Sequence, residues 1–304
     1  MNKLHIPVLL AETLEAMSVK PGGRYVDGTL GRAGHAREIL ARGGEVLGID
    51  RDDAAVAAVG AQKLAGLTVA KGNHGDLAAI ARAHGWSEVD GVLLDLGVSS
   101  PQLDEADRGF SFLREGPLDM RMDRAGGATA ADLVNGESEA GLAGIFLTLG
   151  EEPQARRIAK AIVAAREKGT AFETTTQLAD FVERTVGRRG GHHPATRVFQ
   201  ALRMAVNDEL GELRRALEGG LSLLRPGGRF AVITFESLSD RMVKRFFAAH
   251  VGKMRARQEG GEEWEGDLPR ARAVTKRAVR ATEGEVAANP RSRSAKLRAI
   301  ERSE

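Results

Sequence analysis

The sequence of 304 residues contains no cysteine. This absence excludes disulfide bonds, thiolate metal sites and cysteine nucleophiles. Aromatic residues make up only 4% of the chain, so any ring outside the core is informative. No stretch approaches the roughly 18 apolar residues of a membrane span, and the first residues show no apolar signal segment. We therefore expect a globular protein of a reducing compartment, with a cytoplasmic location and no membrane contact.

The charge is unevenly distributed along the chain. From Arg241 onward there are 16 Lys and Arg residues against 9 Asp and Glu, although the net charge of the whole chain is only +2. A basic C-terminal segment predicts a polyanionic partner, nucleic acid above all, and a solvated basic tail is the alternative. Residues 295–299 alternate between apolar and basic, which favours a half-buried strand over a disordered arm.

The first hundred residues alternate between strand and helix patterns. Strands are predicted at 24–27, 45–49, 67–70 and 91–95, and helices at 34–42, 52–64 and 75–84. Repeated β-α-β units predict an α/β fold with a parallel sheet and right-handed crossovers.

The pattern changes after the fourth strand. Residues 131–187 read as helices, one long helix is predicted from Val198 to Leu221, and a fifth strand follows at 228–235. We predict a sheet domain formed by 1–103 and 197–304, with an inserted helical domain at 104–196. Residues 251–270 are rich in Gly and Glu without periodicity and predict a mobile loop.

Three glycines mark the turn between the first strand and its helix. Gly28, Gly31 and Gly34 lie at three-residue spacing, where backbone N–H groups can approach a ligand. Asp50 ends the next strand about 20 residues later, where an acid commonly binds the hydroxyls of a ribose. Together they predict a cofactor that contains a nucleoside. Plain turn glycines, with Asp50 as a helix N-cap, are the alternative.

A second acid lies at the same predicted edge of the sheet. Asp95 ends the continuous apolar run 91–94, which is typical of a strand buried on both faces. The carboxyl ends of parallel strands are where α/β folds bind their ligands. Asp95 is therefore a candidate for cofactor binding or for catalysis.

Several motifs follow one another in a fixed order. They are His5-x-Pro7-Val8-Leu9-Leu10, Asp27-Gly28-Thr29, the run 95–104, Arg108-Gly109-Phe110-Ser111-Phe112, the run 117–122, His193-Pro194-Ala195-Thr196-Arg197 and the run 289–294. Together they closely resemble the bacterial ribosomal RNA small subunit methyltransferase H family over nearly the whole chain. The resemblance implies a class I (Rossmann-like) methyltransferase sheet with an inserted helical domain. It also implies methyl transfer from S-adenosylmethionine to the exocyclic N4 of a cytidine in the decoding region of 16S ribosomal RNA.

The resemblance further implies which residues contact the cofactor. These are Ala33, Gly34, His35, Asp50, His74, Asp95 and Gln102. The chain departs from the family pattern in having Ala33 for a common glycine, which a negative φ would allow, and His74 for a usual aromatic residue. Glu236 and Ser239 stand where His and Glu are more frequent, and we assign that motif no catalytic role.

Methylation of an exocyclic amine needs alignment and an acceptor for the amine proton. Asp95 is one candidate for that catalytic role, and the resemblance favours cofactor binding for it. Asp119 is the second candidate, and its alternative is a turn or an ion pair with Arg121 or Arg124.

RNA contacts are predicted in two regions. Phe110 and Phe112 are proposed as a lid that stacks on the target base, with two core phenylalanines as the alternative. Arg197 is predicted to face the RNA from a polar helix face. The preferred phosphate contacts are Arg291, Arg293, Lys296 and Arg298.

The expected partner is 16S ribosomal RNA in the assembled small ribosomal subunit, and a homodimer is left open. No metal site is expected, because His192 and His193 have no further ligand at suitable spacing. Two other classes remain as alternatives. A nucleotide-dependent oxidoreductase would leave the basic tail without a role and lacks G-x-G-x-x-G, and a non-enzymatic RNA-binding protein would not bind S-adenosylmethionine.

Overall fold

The computed structural model describes residues 7–188, 191, 193–256 and 262–303. The chain forms two compact units, one comprising the residues up to Gly97 together with those from Leu210 onward, the other Val98–Glu209. In the described part of the chain, no helix is both long and apolar enough to span a membrane.

The first unit is built around a seven-stranded sheet, and a separate two-stranded hairpin accompanies it. The strands are β1 (Arg24–Asp27), β2 (Glu45–Asp50), β3 (Leu67–Lys71), β4 (Val89–Asp95), β5 (Leu224–Thr234), β6 (Lys253–Ala256), β7 (Glu262–Glu265), β8 (Ala271–Ala273) and β9 (Lys296–Arg302). The strand order in the large sheet is β3-β2-β1-β4-β5-β9-β8. β1 to β5 are parallel to their neighbours, whereas β9 is antiparallel to β5 and β8 is antiparallel to β9.

The helices are α1 (Leu10–Met17), α2 (Gly34–Ala41), α3 (Asp53–Gly60), α4 (Leu77–Ala83), α5 (Ser100–Asp104), α6 (Ala130–Gly136), α7 (Glu139–Thr148), α8 (Ala155–Glu167), α9 (Thr175–Val186), α10 (Ala195–Val206), α11 (Glu209–Leu223), α12 (Ser237–Val251) and α13 (Glu283–Ala288). Short 3₁₀ turns lie at His74–Asp76, Ala106–Arg108 and Pro290–Ser294. These elements confirm the predicted α/β class, a mostly parallel sheet with helices and a run of helices after its fourth strand.

Both faces of the sheet are buried, and successive strand residues alternate between them. Tyr25 and Val46 belong to one apolar cluster, with residues of α1 and α2. Val26 and Leu47 belong to the other, with residues of α4 and α11. The interior positions of the central strands β2 and β4 are buried on both faces, which explains the continuous apolar runs in the sequence at these strands.

The strand order reverses between β1 and β4. From β1 the chain proceeds through β2 to β3 on one side, and it returns through β4 and β5 on the other. The carboxyl ends of β1 and β4 are neighbours, because Asp27 pairs with Leu93 two residues before Asp95. A crevice at such a reversal is where open α/β sheets bind ligands.

The predicted long helix is two helices. α10 ends at Val206 and α11 begins at Glu209, because Asp208 adopts a left-handed φ of 46°. Val198 and Leu202 pack in the core of the helical unit, whereas Leu213 packs in the core of the sheet. This break explains why the second division between the compact units falls at 209/210 rather than at the predicted 196/197, and the first division falls at 97/98 rather than at 103/104.

Part of the predicted mobile loop is regular structure. Within 251–270, β6 and β7 form an antiparallel pair in which Met254 lies opposite Trp264. The Trp264 indole donates a hydrogen bond to the Val251 carbonyl oxygen at 3.3 Å, and the Arg270 guanidinium lies 4.7 Å from its ring centroid. The loop prediction is wrong for β6 and β7. These strands are held by backbone pairing with each other and form without the hydrophobic periodicity on which the prediction relied. Residues 257–261 lie outside the described residues.

Candidate active site

Three aspartates end three adjacent strands at the carboxyl edge of the sheet. Asp27 ends β1, Asp50 ends β2 and Asp95 ends β4. Their strands are hydrogen-bonded neighbours around the reversal of strand order, so their carboxyl groups lie at one edge. The sequence indicates Asp50 and Asp95 as site residues but gives Asp27 no separate role. The position of Asp27 at the end of a buried strand is the sequence feature that would have identified it as a site residue.

The glycine turn joins the ends of these strands. The Gly28 N–H donates to the Leu93 carbonyl oxygen at 2.9 Å, and the Leu30 N–H donates to the Ile49 carbonyl oxygen at 3.0 Å. A Cβ on Gly28 would lie 2.7 Å from Leu94 Cδ2, so a side chain would not fit there. The turn is thus held against the strand ends, and it leads directly into Gly34 at the start of α2.

Asp50 is arranged as an acceptor at the end of β2. Its Oδ2 accepts a hydrogen bond from the Gly31 N–H at 2.8 Å, and its Oδ1 accepts one from the Asp52 N–H at 2.9 Å. Burial raises its pKa, and the backbone hydrogen bonds oppose that shift. The N-cap of α3 is Asp52, not Asp50. Each carboxylate oxygen has a second lone pair, so Asp50 can still accept hydrogen bonds from two hydroxyl groups.

Ala33 has a backbone conformation opposite to the expected one. Its φ is 62°, in the left-handed region, and it caps α2 without a side-chain hydrogen bond. The expectation that a negative φ accommodates the methyl group is therefore wrong. The glycine turn needs the left-handed conformation to enter α2, and this favours the glycine that is common in the family.

We expect Ala33→Gly to raise the free energy of unfolding by about 0.5–1 kcal/mol, because relief of left-handed strain outweighs the added freedom of the unfolded chain. The measurement is chemical denaturation. Ala36→Gly, three residues later inside α2, is the matched control and should lower the free energy of unfolding by at least about 1 kcal/mol. Equal losses in both variants would contradict the assigned strain.

Two buried polar atoms lie at the carboxyl end of β3. Within the described part of the chain, Asn73 Oδ1 and His74 Nε2 have no hydrogen-bond partner. Burial, assisted by the charges of Arg51 and Arg215, lowers the pKa of His74 to about 4, so the imidazole is neutral near pH 7. His74 also adjoins the glycine turn, because a Cβ on Gly28 would lie 3.5 Å from His74 Cβ. Buried polar groups without partners are rare and are suited to the polar edge of a ligand.

Asp95 lies beside a neutral histidine. His35 Nε2 donates to the Val8 carbonyl oxygen at 3.1 Å, and its Nδ1 is 3.8 Å from Asp95 Oδ2. Burial lowers the pKa of His35, so the proton on Nε2 leaves Nδ1 with a lone pair on the Asp95 side. Burial also raises the pKa of Asp95 to about 7. A carboxyl group with this pKa can take or release a proton near neutral pH.

Thr29 connects Asp27 with Asp95. Its Oγ1 accepts a hydrogen bond from the Asp95 N–H at 2.6 Å, and its N–H donates to Asp27 Oδ1 at 3.1 Å. Burial raises the pKa of Asp27 to about 6, although the hydrogen bond from the Thr29 N–H partly opposes this shift. The buried side chain of Asp27 thus holds Thr29 in the glycine turn, and Thr29 in turn binds the backbone of Asp95.

The cofactor implied by the sequence resemblance, S-adenosylmethionine, fits these residues. It presents a ribose diol, which suits the spare lone pairs of Asp50, and an adenine edge, which suits the unpartnered atoms of Asn73 and His74. Gln102 belongs to the second unit, where its Oε1 accepts from the Ser99 N–H at 2.9 Å. The assignment of individual cofactor contacts stays a prediction.

In the second unit, Asp119 forms an ion pair. Its carboxylate binds Arg121 through both oxygens, Oδ1 to Nε at 2.8 Å and Oδ2 to Nη2 at 2.9 Å. Hydrogen bonds from Arg121 hold the pKa of Asp119 below its usual value, although burial opposes this shift. An acid that holds its proton so weakly is a poor proton acceptor at neutral pH. The geometry favours the ion-pair alternative, so we retain Asp95 alone as candidate acceptor.

The proposed aromatic lid is wrong for Phe110. Its ring is 8% exposed and packs in the core of the helical unit, as the alternative interpretation predicted. Phe112 is half-buried, with ring centroids 4.7 Å from His193 and 4.9 Å from Phe199. Burial in the core thus follows the alternative interpretation for Phe110, and stacking of Phe112 on a base stays a prediction.

The predicted RNA contacts differ in their surroundings. Arg291 and Arg293 are exposed. In contrast, Asp240 binds Lys296 at 3.0 Å and Arg298 at 2.8 Å, and both cations are mostly buried. These two side chains therefore hold β9 to α12, and their role as free phosphate contacts is corrected.

Four further residues from the sequence predictions are Arg197, His193, His5 and His192. Arg197 is exposed, and its Nη1 donates to the Glu151 carbonyl oxygen at 3.1 Å. His193 Nε2 lies 3.2 Å from Glu183 Oε2. His5 and His192 lie outside the described residues.

The fold and the acids at the strand reversal define an α/β protein with a site for a nucleoside-containing cofactor. The model of the MraW methylase family matches residues 2–303, and the chain belongs to that family. It is therefore a methyltransferase, and the predicted methyl donor, S-adenosylmethionine, is confirmed.

Named relatives are similar over almost their whole length. A protein named Ribosomal RNA small subunit methyltransferase H from Methylobacterium sp. (strain 4-46) is 52% identical over 99% of this chain and 91% of its own. One of the same name from Symbiobacterium thermophilum is 49% identical over 97% of this chain and 96% of its own. A third protein of this name, from Deinococcus deserti, is 51% identical over 98% of this chain and 93% of its own.

Proposed function

We propose that this protein transfers the methyl group of S-adenosylmethionine to the exocyclic N4 of a cytidine in the decoding region of 16S ribosomal RNA, within the assembled small subunit. The observation that carries the proposal is Asp95, a carboxyl group with a pKa of about 7 at the strand reversal, close to the ribose acceptor Asp50. The names of the relatives indicate the substrate class. This substrate implies a cytoplasmic location.

The cofactor supplies an electrophilic methyl group on a sulfonium sulfur. The amine nitrogen forms the new C–N bond as the C–S bond breaks, and the surplus amine proton must leave. Asp95 is suited to accept this proton, because the positive charge of the cofactor's sulfonium group would favour the ionised form of its carboxyl group. His35 keeps its proton on Nε2 and presents no competing N–H towards Asp95.

The two units have separate roles in this proposal. The first unit carries the acids, the glycine turn and the atoms suited to the cofactor, and it is the methyltransferase domain. The second unit, Val98–Glu209, is the substrate-recognition domain, and its helices form a core of their own.

The test is transfer of a labelled methyl group from S-adenosylmethionine to undermethylated small subunits, with free 16S RNA and duplex DNA in parallel. Nucleoside analysis should reveal N4-methylcytidine at one site in the subunit. No transfer to any RNA despite cofactor binding would overturn the proposed function. Transfer to free RNA but not to subunits would overturn the assembled substrate.

A further inference from the structure

The segment between β8 and β9 carries a group of exposed cations that we name the basic edge. Its members are Lys276, Arg277, Arg280 and Arg293, and each is exposed. Within the described residues, none of these four side chains forms a hydrogen bond or an ion pair. No acidic residue occurs between Asp267 and Glu283. This charge is therefore not neutralised by neighbours in sequence.

The neighbouring cations are different, because each has a partner. Lys296 and Arg298 bind Asp240, and Arg272 binds Glu301 at 2.6 Å. Arg270 lies over the ring of Trp264. The C-terminal segment thus divides its basic residues into a set that stabilises the fold and a set that is free.

The backbone that carries the basic edge is ordered. The Val274 N–H donates to the Ala299 carbonyl oxygen at 3.0 Å, and Val279 exchanges hydrogen bonds with Leu297 at 2.9 Å. Val274 and Val279 pack against the core beside α1 and α2. Glu285 Oε1 further accepts a hydrogen bond from the Leu9 N–H at 2.8 Å. The cations are therefore presented on a fixed surface and not on a disordered tail.

The basic edge adjoins, at Arg280, the row of the sheet that contains Asp95. Asp95 pairs with Ile233, Ile233 pairs with Leu297, and Leu297 pairs with Val279, the residue before Arg280. Three strand spacings of about 4.8 Å separate the two ends of this row by about 14 Å. This is a distance that a few nucleotides on either side of a target base can cover.

We propose that the basic edge binds the sugar-phosphate backbone of the RNA that flanks the target nucleotide. The inference rests on the proposed function for the identity of that RNA. Unpaired, exposed guanidinium and ammonium groups attract phosphates and release condensed counterions when they bind. The row from Asp95 to Val279 gives the RNA a path across the carboxyl ends of β4 and β5 and the amino end of β9.

The test compares two variants that each remove three positive charges. Lys276→Gln/Arg277→Gln/Arg280→Gln alters the basic edge. Arg42→Gln/Lys63→Gln/Arg82→Gln is the matched control, because these exposed residues precede β2, β3 and β4 at the opposite, amino edge of the sheet. Binding of undermethylated small subunits and of protein-free 16S RNA is measured from 50 to 300 mM KCl.

We expect the basic-edge variant to raise Kd for both RNAs at least about tenfold at 100 mM KCl. The slope of log affinity against log salt should become shallower by about 2, since each lost phosphate contact removes roughly 0.7–0.9. The control should change Kd less than about threefold. Both variants should keep wild-type cofactor affinity by calorimetry and wild-type melting temperature, which excludes unfolding as the cause.

Three results would overturn the proposal. If the folded basic-edge variant binds RNA with unchanged affinity, the basic edge is not an RNA-binding surface. If both variants lose affinity equally, the loss reflects the net charge of the protein and not this surface. Weaker binding to subunits with unchanged binding to protein-free RNA would indicate a ribosomal protein as partner. Methyl transfer by the wild-type enzyme is followed in the same preparations, so a failure of the proposed function is seen separately from a failure of this surface.

Discussion

Replacing Asp95 with asparagine should lower the rate of methyl transfer by about 10²- to 10⁴-fold, the usual contribution of a positioned proton acceptor. The amide keeps the shape of the side chain but cannot accept the amine proton as a carboxylate does. Steady-state transfer of labelled methyl to undermethylated small subunits measures the effect. Calorimetric titration with S-adenosylmethionine separates it from a loss of cofactor binding.

Glu88→Gln is the matched control for this substitution. It makes the same change from acid to amide on an exposed residue directly before β4, at the end of the strand opposite Asp95. Its activity should equal that of the wild type. An Asp95→Asn enzyme that retains cofactor binding and transfers methyl groups at a rate within threefold of the wild type would remove Asp95 from the proposed chemistry.

The same substitution should have an opposite effect on stability. The pKa of Asp95 is about 7 in the folded chain against 3.8 for the unperturbed group, so the folded state holds a proton that the unfolded state has lost. Stability therefore falls as the pH rises from about 4 to about 7. Asp95→Asn removes this loss. We expect its free energy of unfolding to exceed that of the wild type by about 4 kcal/mol at pH 8, at about 1.4 kcal/mol for each unit of the pKa shift, with little difference at pH 4.

Urea denaturation of the cofactor-free proteins at the two pH values tests this expectation. Asp27 titrates in the same range, and the charge of Asp95 is one of the smaller causes that raise its pKa, so the difference between the two proteins includes the loss of this coupling. A difference between wild type and variant that does not depend on pH would show that burial does not raise the pKa of Asp95.

Gly116→Ala should destabilise the helical unit by about 3 kcal/mol, near the upper end of the usual cost of overpacking. A Cβ at Gly116 would overlap the carbonyl oxygen of Ala106, a backbone atom that cannot rotate away. The glycine also holds a backbone pairing, since its carbonyl oxygen accepts from the Thr175 N–H at 2.9 Å. The strain therefore disrupts the packing of two segments distant in sequence.

Circular dichroism during thermal unfolding measures this effect, with an expected decrease in Tm of about 10 °C. Gly144→Ala, inside α7, is the matched control because nothing lies within 4 Å of its added Cβ. The control should be more stable than the wild type by about 0.5–1 kcal/mol, the helix preference of alanine over glycine. Equal Tm values for the two variants would show that the backbone near Ala106 yields to the new methyl group.

The elements around the cofactor were predictable because their signals are local. The central strands β1, β2 and β4 have apolar interiors because both of their faces are buried, and each apolar run ends at an aspartate at the edge of the sheet. Asp50 and Asp95 follow those runs directly, so their position at the carboxyl edge was predictable as well. The glycine turn is local for the same reason.

The failed predictions concern partners that are distant in sequence or backbone angles that composition does not report. Lys296 and Arg298 read as free cations until Asp240, 56 and 58 residues away, is placed beside them. The helical stripe from Val198 to Leu221 continues through a break, because the period of apolar residues is kept on both sides of Asp208. Neither the ion pairs of Asp240 nor the helix break at Asp208 can be predicted from a short stretch of sequence.

By itself, the sequence determined the order of strands and helices, the acids at the strand ends and the family that the motifs resemble. These follow from burial, turn chemistry and fixed local spacing. The tertiary structure decided which charges are neutralised and which remain free. It paired Asp119 with Arg121, buried Phe110, and left the basic edge without partners among the residues that the structure describes. The physical reason is that the free energy of a charge or an aromatic ring depends on what the fold brings within a few ångströms of it, and those neighbours come from any part of the chain.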